Sequence, residues 1–129
     1  MSSVIINPDS LHDPVGFGYS HIARATGELV LVAGQYASGP DGQVVAEDFA
    51  EQVRVSFANL GKALAAAGRD YGDVVQLRTY IVDHDTDKLK ILAEAVREIW
   101  GDLPPTQTLV GVAALALPEM RFEVDAIAA

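Results

Sequence analysis

The sequence predicts an α+β fold in which two amphipathic helices pack on one face of a single sheet. Residues 48–67 and the segment after residue 86 both carry apolar residues at helical spacing. Residues 120–127 instead alternate with a period of two, as a half-buried strand does. With the β-prone runs between them, these segments give the order β-β-α-β-α-β-β, which suits one layer of helices on one layer of strands.

The first strands are predicted in the N-terminal third of the chain. Residues 1–18 form a mixed lead-in segment with one short edge strand at residues 4–5. Residues 19–25 and 28–34 are β-prone runs on either side of Gly27. Because two such runs around a glycine-containing turn are typical of a hairpin, we expect these strands to pair with each other.

Both helices have recognisable ends. Gly68 follows residues 48–67 at the position where a left-handed conformation ends a helix. Asp85 or Thr86 can cap the second helix, which ends near Trp100. The apolar stripes consist of Phe49, Val53, Phe57, Leu60 and Leu64 in the first helix and Leu89, Leu92, Val96 and Ile99 in the second. Each stripe is one-sided, so both helices are expected to lie on a sheet.

The strand predicted at residues 73–82 is largely apolar on both faces. One face carries Val75, Leu77, Thr79 and Ile81, and the other carries Val74, Gln76, Arg78, Tyr80 and Val82. A sheet with helices on one face leaves the other face in water. A large apolar patch on that second face is typical of an interface, so the sequence predicts that another subunit covers it.

Two further strands, joined by a turn at Pro118, end the chain. Residues 108–116 are almost all small or aliphatic, as in a strand covered on both faces. In residues 120–127 the apolar and ionisable side chains lie on opposite faces. The apolar face carries Phe122, Val124 and Ala126, and the ionisable face carries Arg121, Glu123 and Asp125. Since a buried, unpaired carboxylate is costly, Glu123 either faces a solvated surface or lines a cleft.

Composition excludes several classes of protein. The chain has 129 residues, of which 50% are hydrophobic, so we expect one domain, residues 1–129, with a real core. The absence of cysteine excludes disulfides, a thiolate nucleophile and Cys-ligated metal, and the three histidines lack metal-site spacing. A net charge of −9 argues against nucleic-acid binding, and no apolar run is long enough to span a membrane. These features predict a cytoplasmic protein with no metal and no nucleic-acid or membrane partner.

Four stretches carry a resemblance to a known family. They are YSHIARATGELVLVAGQ, NLGKALAAAG, DVVQLRTYIVD and PPTQTLVGVAALALPEMRFEVDAIA, spread over residues 19–128. In their order and spacing, the chain resembles the RidA (YjgF) family, also labelled endoribonuclease L-PSP. The resemblance implies a chorismate-mutase-like fold and a homotrimer whose sheets form a barrel-like core. It also implies a small-molecule ligand in each cleft between subunits.

The resemblance also implies a chemistry. The best-known activity of the family is the hydrolysis of small enamines and imines, such as 2-aminoacrylate, to a 2-oxo acid and ammonia. No cofactor is needed, because the substrate is already an activated electrophile. By resemblance, Glu123 is the catalytic residue that holds the attacking water, and Tyr19 lines the cleft. The arginine that grips the substrate carboxylate is absent, because Gln107 stands in its place within PPTQT. A neutral amide cannot replace a charged bidentate pair, so poor hydrolysis of 2-aminoacrylate is expected.

Two questions stay open at the level of the sequence. Arg78 either binds substrate or pairs with Glu123 or Asp125 across the sheet. The retained Glu123 favours an enamine or imine deaminase whose substrate lacks a carboxylate or presents a neutral carbonyl to Gln107. The missing arginine favours a trimer that binds a small metabolite without turning it over.

Overall fold

A computed structural model describes residues 2–129, and it contains the predicted helices and strands. The strands are β1 (Ser2–Ile6), β2 (Ile22–Thr26), β3 (Val30–Gln35), β4 (Val74–Val82), β5 (Thr106–Val112) and β6 (Phe122–Ala128), and the helices are α1 (Phe49–Ala66) and α2 (Thr86–Trp100). Strands β3, β6, β4 and β5, in that order, form a four-stranded sheet, and β1 and β2 form a separate two-stranded ribbon. One isolated bridge, between Ser20 and Thr106, connects the start of the ribbon strand β2 to β5.

The α+β class and the packing of both helices on a sheet are confirmed. The buried faces of the helices meet the central strands in one core. Its members include Val53, Phe57, Leu60 and Leu64 of α1, Leu92 and Val96 of α2, Leu77 and Ile81 of β4, and Phe122, Val124 and Ala126 of β6. Because burying one such side chain contributes about 1.5–3 kcal/mol, this core is the main source of stability.

Side-chain caps and a glycine set the helix ends, with Asp85 and Gly68 as predicted. The Asp48 carboxylate accepts a hydrogen bond from the backbone N–H of Glu51 at 3.0 Å, and the Asp85 carboxylate accepts one from that of Lys88 at 2.9 Å. These caps satisfy backbone donors that have no partner inside the helix. Gly68 follows α1 with φ +74°, the left-handed conformation that glycine adopts at low cost. Neither helix, nor any other in residues 2–129, is long and apolar enough to cross a lipid bilayer.

The predicted hairpin between residues 19–25 and 28–34 is wrong. Strand β2 pairs antiparallel with β1, and β3 pairs antiparallel with β6. Gly27 does make a turn, with φ +109°, but a local turn does not decide which distant strand is the partner. Strand β3 joins the larger sheet because that pairing places Val32 opposite Ala126 in the core.

The two C-terminal strands are not neighbours either. Strand β4 lies between them, parallel to β5 and antiparallel to β6. Helix α2 provides the long crossover that a parallel β4–β5 pair requires, which sends β5 to the edge of the sheet. Thr108, Val110 and Gly111 of β5 are exposed, so the prediction of a strand covered on both faces does not hold within this chain.

We use the name open face for the side of the sheet opposite the helices. Three rows of paired residues cross it: Leu31, Ile127, Gln76 and Thr106; Asp125, Arg78 and Thr108; and Glu123, Tyr80 and Val110. Leu31 is 73% exposed there and Val110 is 40% exposed. Val74 and Val82, which were predicted to lie on this face, are buried in the chain. An irregularity in the β4–β6 pairing between Val74 and Gln76 shifts the alternation of the strand at Val74. The open face therefore mixes apolar with charged side chains.

Candidate functional site

Glu123 lies on the open face with its carboxyl group unpaired. Its neighbours along β6 are both buried, and its side chain fills the space above Gly34: a Cβ at Gly34 would lie 2.6 Å from the carboxyl carbon. Within residues 2–129 its carboxylate makes no hydrogen bond and no ion pair. Burial raises the pKa of Glu123, and the negative charge of Asp125 raises this pKa further. A half-buried carboxyl group with both oxygens available is suited to take up and return a proton.

Arg78 pairs with Asp125 and not with Glu123. The Arg78 Nε donates a hydrogen bond to Oδ1 of Asp125 at 2.9 Å, and the Tyr80 hydroxyl donates one to Oδ2 at 2.8 Å. Burial and the hydrogen bond to Asp125 raise the pKa of Tyr80. The pairing therefore answers one of the open questions from the sequence. The Arg78 side chain is 59% exposed, and its two terminal nitrogens have no hydrogen-bond partner among the described residues.

Gln107 lies on the helix-covered side of the sheet. It is paired with the fully buried Leu77, its Nε2 donates a hydrogen bond to the Gly18 carbonyl at 2.7 Å, and its Oε1 accepts one from the Thr79 hydroxyl at 3.0 Å. Glu123 projects from the other face of the sheet and from a strand beyond β4. Gln107 therefore does not lie beside Glu123 within one chain, because β5 and β6 are not neighbours.

Tyr19 and Gln107 do share a site. They line a groove of about 420 Å³ at the sheet edge, which we call the Tyr19 groove. Its lining consists of Tyr19, Ser20, His21, Ile22, Ala23, Gln76, Thr106, Gln107 and Thr108. Hydroxyl and amide groups dominate this lining, and it contains no carboxylate, lysine or arginine. The Tyr19 groove can therefore hold a small ligand by neutral hydrogen bonds.

The predicted site residues thus fall into two groups. Tyr19 and Gln107 line the Tyr19 groove, and Arg78 and Glu123 lie on the open face. Sequence reasoning missed His12, whose Nε2 lies 2.6 Å from the Tyr19 hydroxyl oxygen. No periodicity marks that contact, because it joins two irregular segments. Among residues 2–129 no group of three or more His, Asp or Glu side chains is arranged to hold a metal ion.

Comparison with known proteins places the chain in a family. The sequence profile of the family described as Endoribonuclease L-PSP matches residues 12–129. The RutC family protein YjgH of Escherichia coli is 36% identical over 111 residues, which are 85% of this chain and 81% of YjgH. The 2-iminobutanoate/2-iminopropanoate deaminase of Salmonella typhimurium is 31% identical over 103 residues, 79% of this chain and 80% of that protein.

A solved structure matches nearly the whole chain. It is the Rid family protein YyfB of Yersinia pestis, described as being of unknown function. It is 36% identical to this chain, covers 99% of it with 98% of its own length, and superposes with a TM-score of 0.94. This agreement extends to the chorismate-mutase-like arrangement of two helices on a sheet. The chain therefore belongs to the endoribonuclease L-PSP family, that is, to the RidA/YjgF proteins.

Proposed function

We propose that this protein is an enamine or imine deaminase that hydrolyses small reactive imines and releases ammonia. One observation carries the proposal: the carboxyl group of Glu123 is half-buried, has no hydrogen-bond partner among residues 2–129, and has a raised pKa. A carboxylate kept only for structure would be paired, as Asp125 is. The kinship with a protein named as a 2-iminobutanoate/2-iminopropanoate deaminase supports the same reaction class.

The proposed chemistry needs only water and one proton carrier. The Glu123 carboxylate accepts a proton from water as the water oxygen bonds to the imine carbon, and the π electron pair moves to nitrogen. The proton on Glu123 then passes to that nitrogen, which gives a carbinolamine. The hydroxyl proton then moves to that nitrogen as the carbon–nitrogen bond breaks and its electron pair goes to nitrogen, which releases a carbonyl compound and ammonia. The glutamate ends in the state in which it began.

A homotrimer would complete the site. Glu123 and Gln107 project from opposite faces of one sheet, so no cleft within a single chain contains both. The open face also exposes Leu31 at 73% and Val110 at 40%, and apolar side chains on an uncovered sheet favour association. We infer that three chains pack through their open faces, so that Glu123 meets the Tyr19 groove of a neighbour. Light scattering should give three times the chain mass, and a stable monomer at micromolar concentration would contradict this.

The substrate of this protein should differ from 2-aminoacrylate in its polar group. Gln107 uses one N–H and one lone pair within the chain, which leaves one amide N–H and one lone pair of Oε1 for a neutral carbonyl or hydroxyl. Arg78 contributes to binding only through its terminal nitrogens, because its Nε is committed to Asp125. A substrate carboxylate would lack the bidentate clamp, which costs about 2–4 kcal/mol of affinity.

The test compares two imines generated in the assay. One is 2-aminoacrylate, and the other is an imine without a carboxylate, made by oxidation of a simple primary amine. Ammonia release is measured against the uncatalysed rate, with an arginine-bearing deaminase of the family as the reference. The proposal expects acceleration with the second imine and little with 2-aminoacrylate. Acceleration of 2-aminoacrylate equal to that of the reference enzyme would show that Gln107 does not restrict the substrate.

A second function is favoured by the contacts of Gln107. Its amide connects β5 to the Gly18 carbonyl and to Thr79, as a structural residue does. With its amide engaged in this way, Gln107 does not take over the substrate binding of the missing arginine. The alternative is a trimer that binds a small metabolite in its clefts without turning it over. Calorimetry with small amides and oxo acids, together with ammonia assays on the same samples, separates the two functions. Saturable binding without acceleration of any imine would establish the alternative.

A further inference from the structure

His12 forms a contact with Tyr19 that the mechanism above does not use. The His12 Nε2 lies 2.6 Å from the Tyr19 hydroxyl oxygen, and the two rings meet edge-to-face at a centroid distance of 6.1 Å. Phe17 and His21 contact the same imidazole at centroid distances of 6.1 and 4.8 Å. A separation of 2.6 Å is at the short end for a hydrogen bond between a hydroxyl group and a ring nitrogen.

The surroundings hold this pair in place. The His21 Nε2 lies 2.8 Å from the backbone oxygen of His12 and must be the donor there, because a carbonyl oxygen only accepts. The Asn7 side-chain oxygen accepts a hydrogen bond from the His21 backbone N–H at 2.7 Å, and the Asn7 amide donates to the buried Ser20 hydroxyl at 3.2 Å. The segments on both sides of the contact are therefore tied together. The His12 Nε2 is left to Tyr19.

Resting on the proposed function, we propose that His12 and Tyr19 form a proton relay into the Tyr19 groove, with His12 as a positioning residue that acts through Tyr19. Tyr19 lines the groove, so its hydroxyl can reach a bound ligand, whereas His12 is not among the lining residues. Imidazole is the side chain that exchanges a proton most readily near neutral pH. The relay gives the groove a proton carrier separate from Glu123, which projects from the opposite face of the sheet.

The relay would serve the breakdown of the carbinolamine. The carbinolamine hydroxyl gives its proton to the Tyr19 oxygen as the phenolic proton of Tyr19 moves to Nε2 of neutral His12. The proton held by His12 returns through Tyr19 to the nitrogen as the carbon–nitrogen bond breaks. The electron pair of that bond goes to nitrogen, which leaves as ammonia. One proton enters the relay and one leaves it, so no further reactant is required.

Few titratable groups contact the His12 ring. Among the described residues, the titratable rings in contact with it are Tyr19 and His21. Asp13, next along the chain, uses its carboxylate to accept a hydrogen bond from the Val15 backbone N–H. No carboxylate is recorded in contact with the His12 ring in the described part of the chain. Within residues 2–129, the Tyr19 hydroxyl is therefore the titratable group that shares a hydrogen bond with the exposed His12 ring.

Nitrogen NMR of the imidazole rings tests the relay without any substrate. When the His12 ring is neutral, the relay requires an unprotonated Nε2 that accepts a hydrogen bond from the Tyr19 hydroxyl. Tyr19→Phe should therefore shift the Nε2 resonance of His12. His84→Gln, at an exposed histidine elsewhere, is the matched control and should leave it unchanged. A neutral His12 ring that carries its proton on Nε2, or an Nε2 resonance that does not respond to Tyr19→Phe, would overturn the relay whatever the enzyme activity.

Kinetics gives the second readout. His12→Gln keeps a hydrogen-bond partner for Tyr19 but cannot take up a proton, so kcat should fall about 10²-fold with KM unchanged. The double variant with Tyr19→Phe should be no slower than either single variant, because the two residues act as a unit. Additive losses, or an equal fall in KM and kcat with a lowered melting temperature, would make the contact structural. If the natural protein accelerates no imine, the proposed function fails, and the NMR result alone decides the relay.

Discussion

Arg78 and Asp125 face each other across β4 and β6, and the Arg78 Nε donates a hydrogen bond to Oδ1 of Asp125 at 2.9 Å. This pairing leaves Glu123, two residues earlier on β6, without an ion-pair partner among residues 2–129. Since the nearby guanidinium is committed to Asp125, Glu123 keeps both carboxyl oxygens available. Burial of Glu123 raises its pKa, and the negative charge of Asp125 raises this pKa further.

Asp125→Asn should lower the pKa of Glu123 toward its ordinary value. The substitution removes the second of the two causes that raise it, the neighbouring negative charge. NMR titration of the Glu123 carboxyl carbon measures the shift, with Asp9→Asn in the exposed lead-in segment as the control. Because Arg78 is 59% exposed, the lost ion pair should change the unfolding free energy little. An unchanged titration would mean that Asp125 does not act on Glu123.

Gln107→Ala should destabilise the fold by about 1–3 kcal/mol. It leaves the Gly18 carbonyl without its side-chain donor and the fully buried Thr79 hydroxyl without its better acceptor. Denaturant unfolding measures the loss, and Gln43→Ala, at an exposed side chain in a loop, is the control. Unchanged stability together with a raised KM would instead make Gln107 a ligand-binding residue.

Gly34→Ala should impair turnover without preventing folding. Gly34 does not require a left-handed conformation, but an added Cβ would lie 2.6 Å from the Glu123 carboxyl carbon, so that side chain must move. Displacing a catalytic group by about 1 Å can cost about 10²-fold in rate. The matched control is Gly16→Ala, where the added Cβ meets nothing within 4 Å. Equal activities of the two variants would show that the Glu123 position is not critical.

Glu123→Gln should not lower stability at neutral pH. A carboxyl group whose folded pKa is raised binds its proton more tightly in the folded state than in the unfolded state. Its ionisation therefore destabilises the fold progressively as the pH rises from about 4 through the raised pKa. Melting temperatures measured across that range should show the natural protein losing stability relative to the variant. The opposite trend would indicate that Glu123 has a stabilising partner.

Local features of the fold were predictable from the sequence, whereas strand partners were not. The cap at Asp85 and the left-handed Gly68 depend on neighbouring residues, and both occur as expected. Strand pairing depends on which distant segments share the core, and a turn signal at Gly27 carries no such information. The parallel β4–β5 crossover placed Gln107 away from Glu123 for the same reason.

The candidate site was predictable to the same extent. Alternation along β6 was enough to set Glu123 on the face opposite Phe122. Arg78 pairs with Asp125 because of the register between β4 and β6. That register includes an irregularity that no local sequence pattern predicts. The contact of His12 with Tyr19 joins two segments without regular structure, so no periodicity could reveal it.

The turnover of Glu123→Gln decides whether Glu123 is the proton acceptor in deamination. The substitution keeps the size of the side chain and removes its proton acceptor, so ammonia release from the best imine substrate should fall about 10²–10⁴-fold with the fold and assembly intact. Glu94→Gln, at an exposed carboxylate on α2, should retain full activity. Unchanged turnover of Glu123→Gln with a lowered melting temperature would make Glu123 a structural residue and contradict the deaminase mechanism.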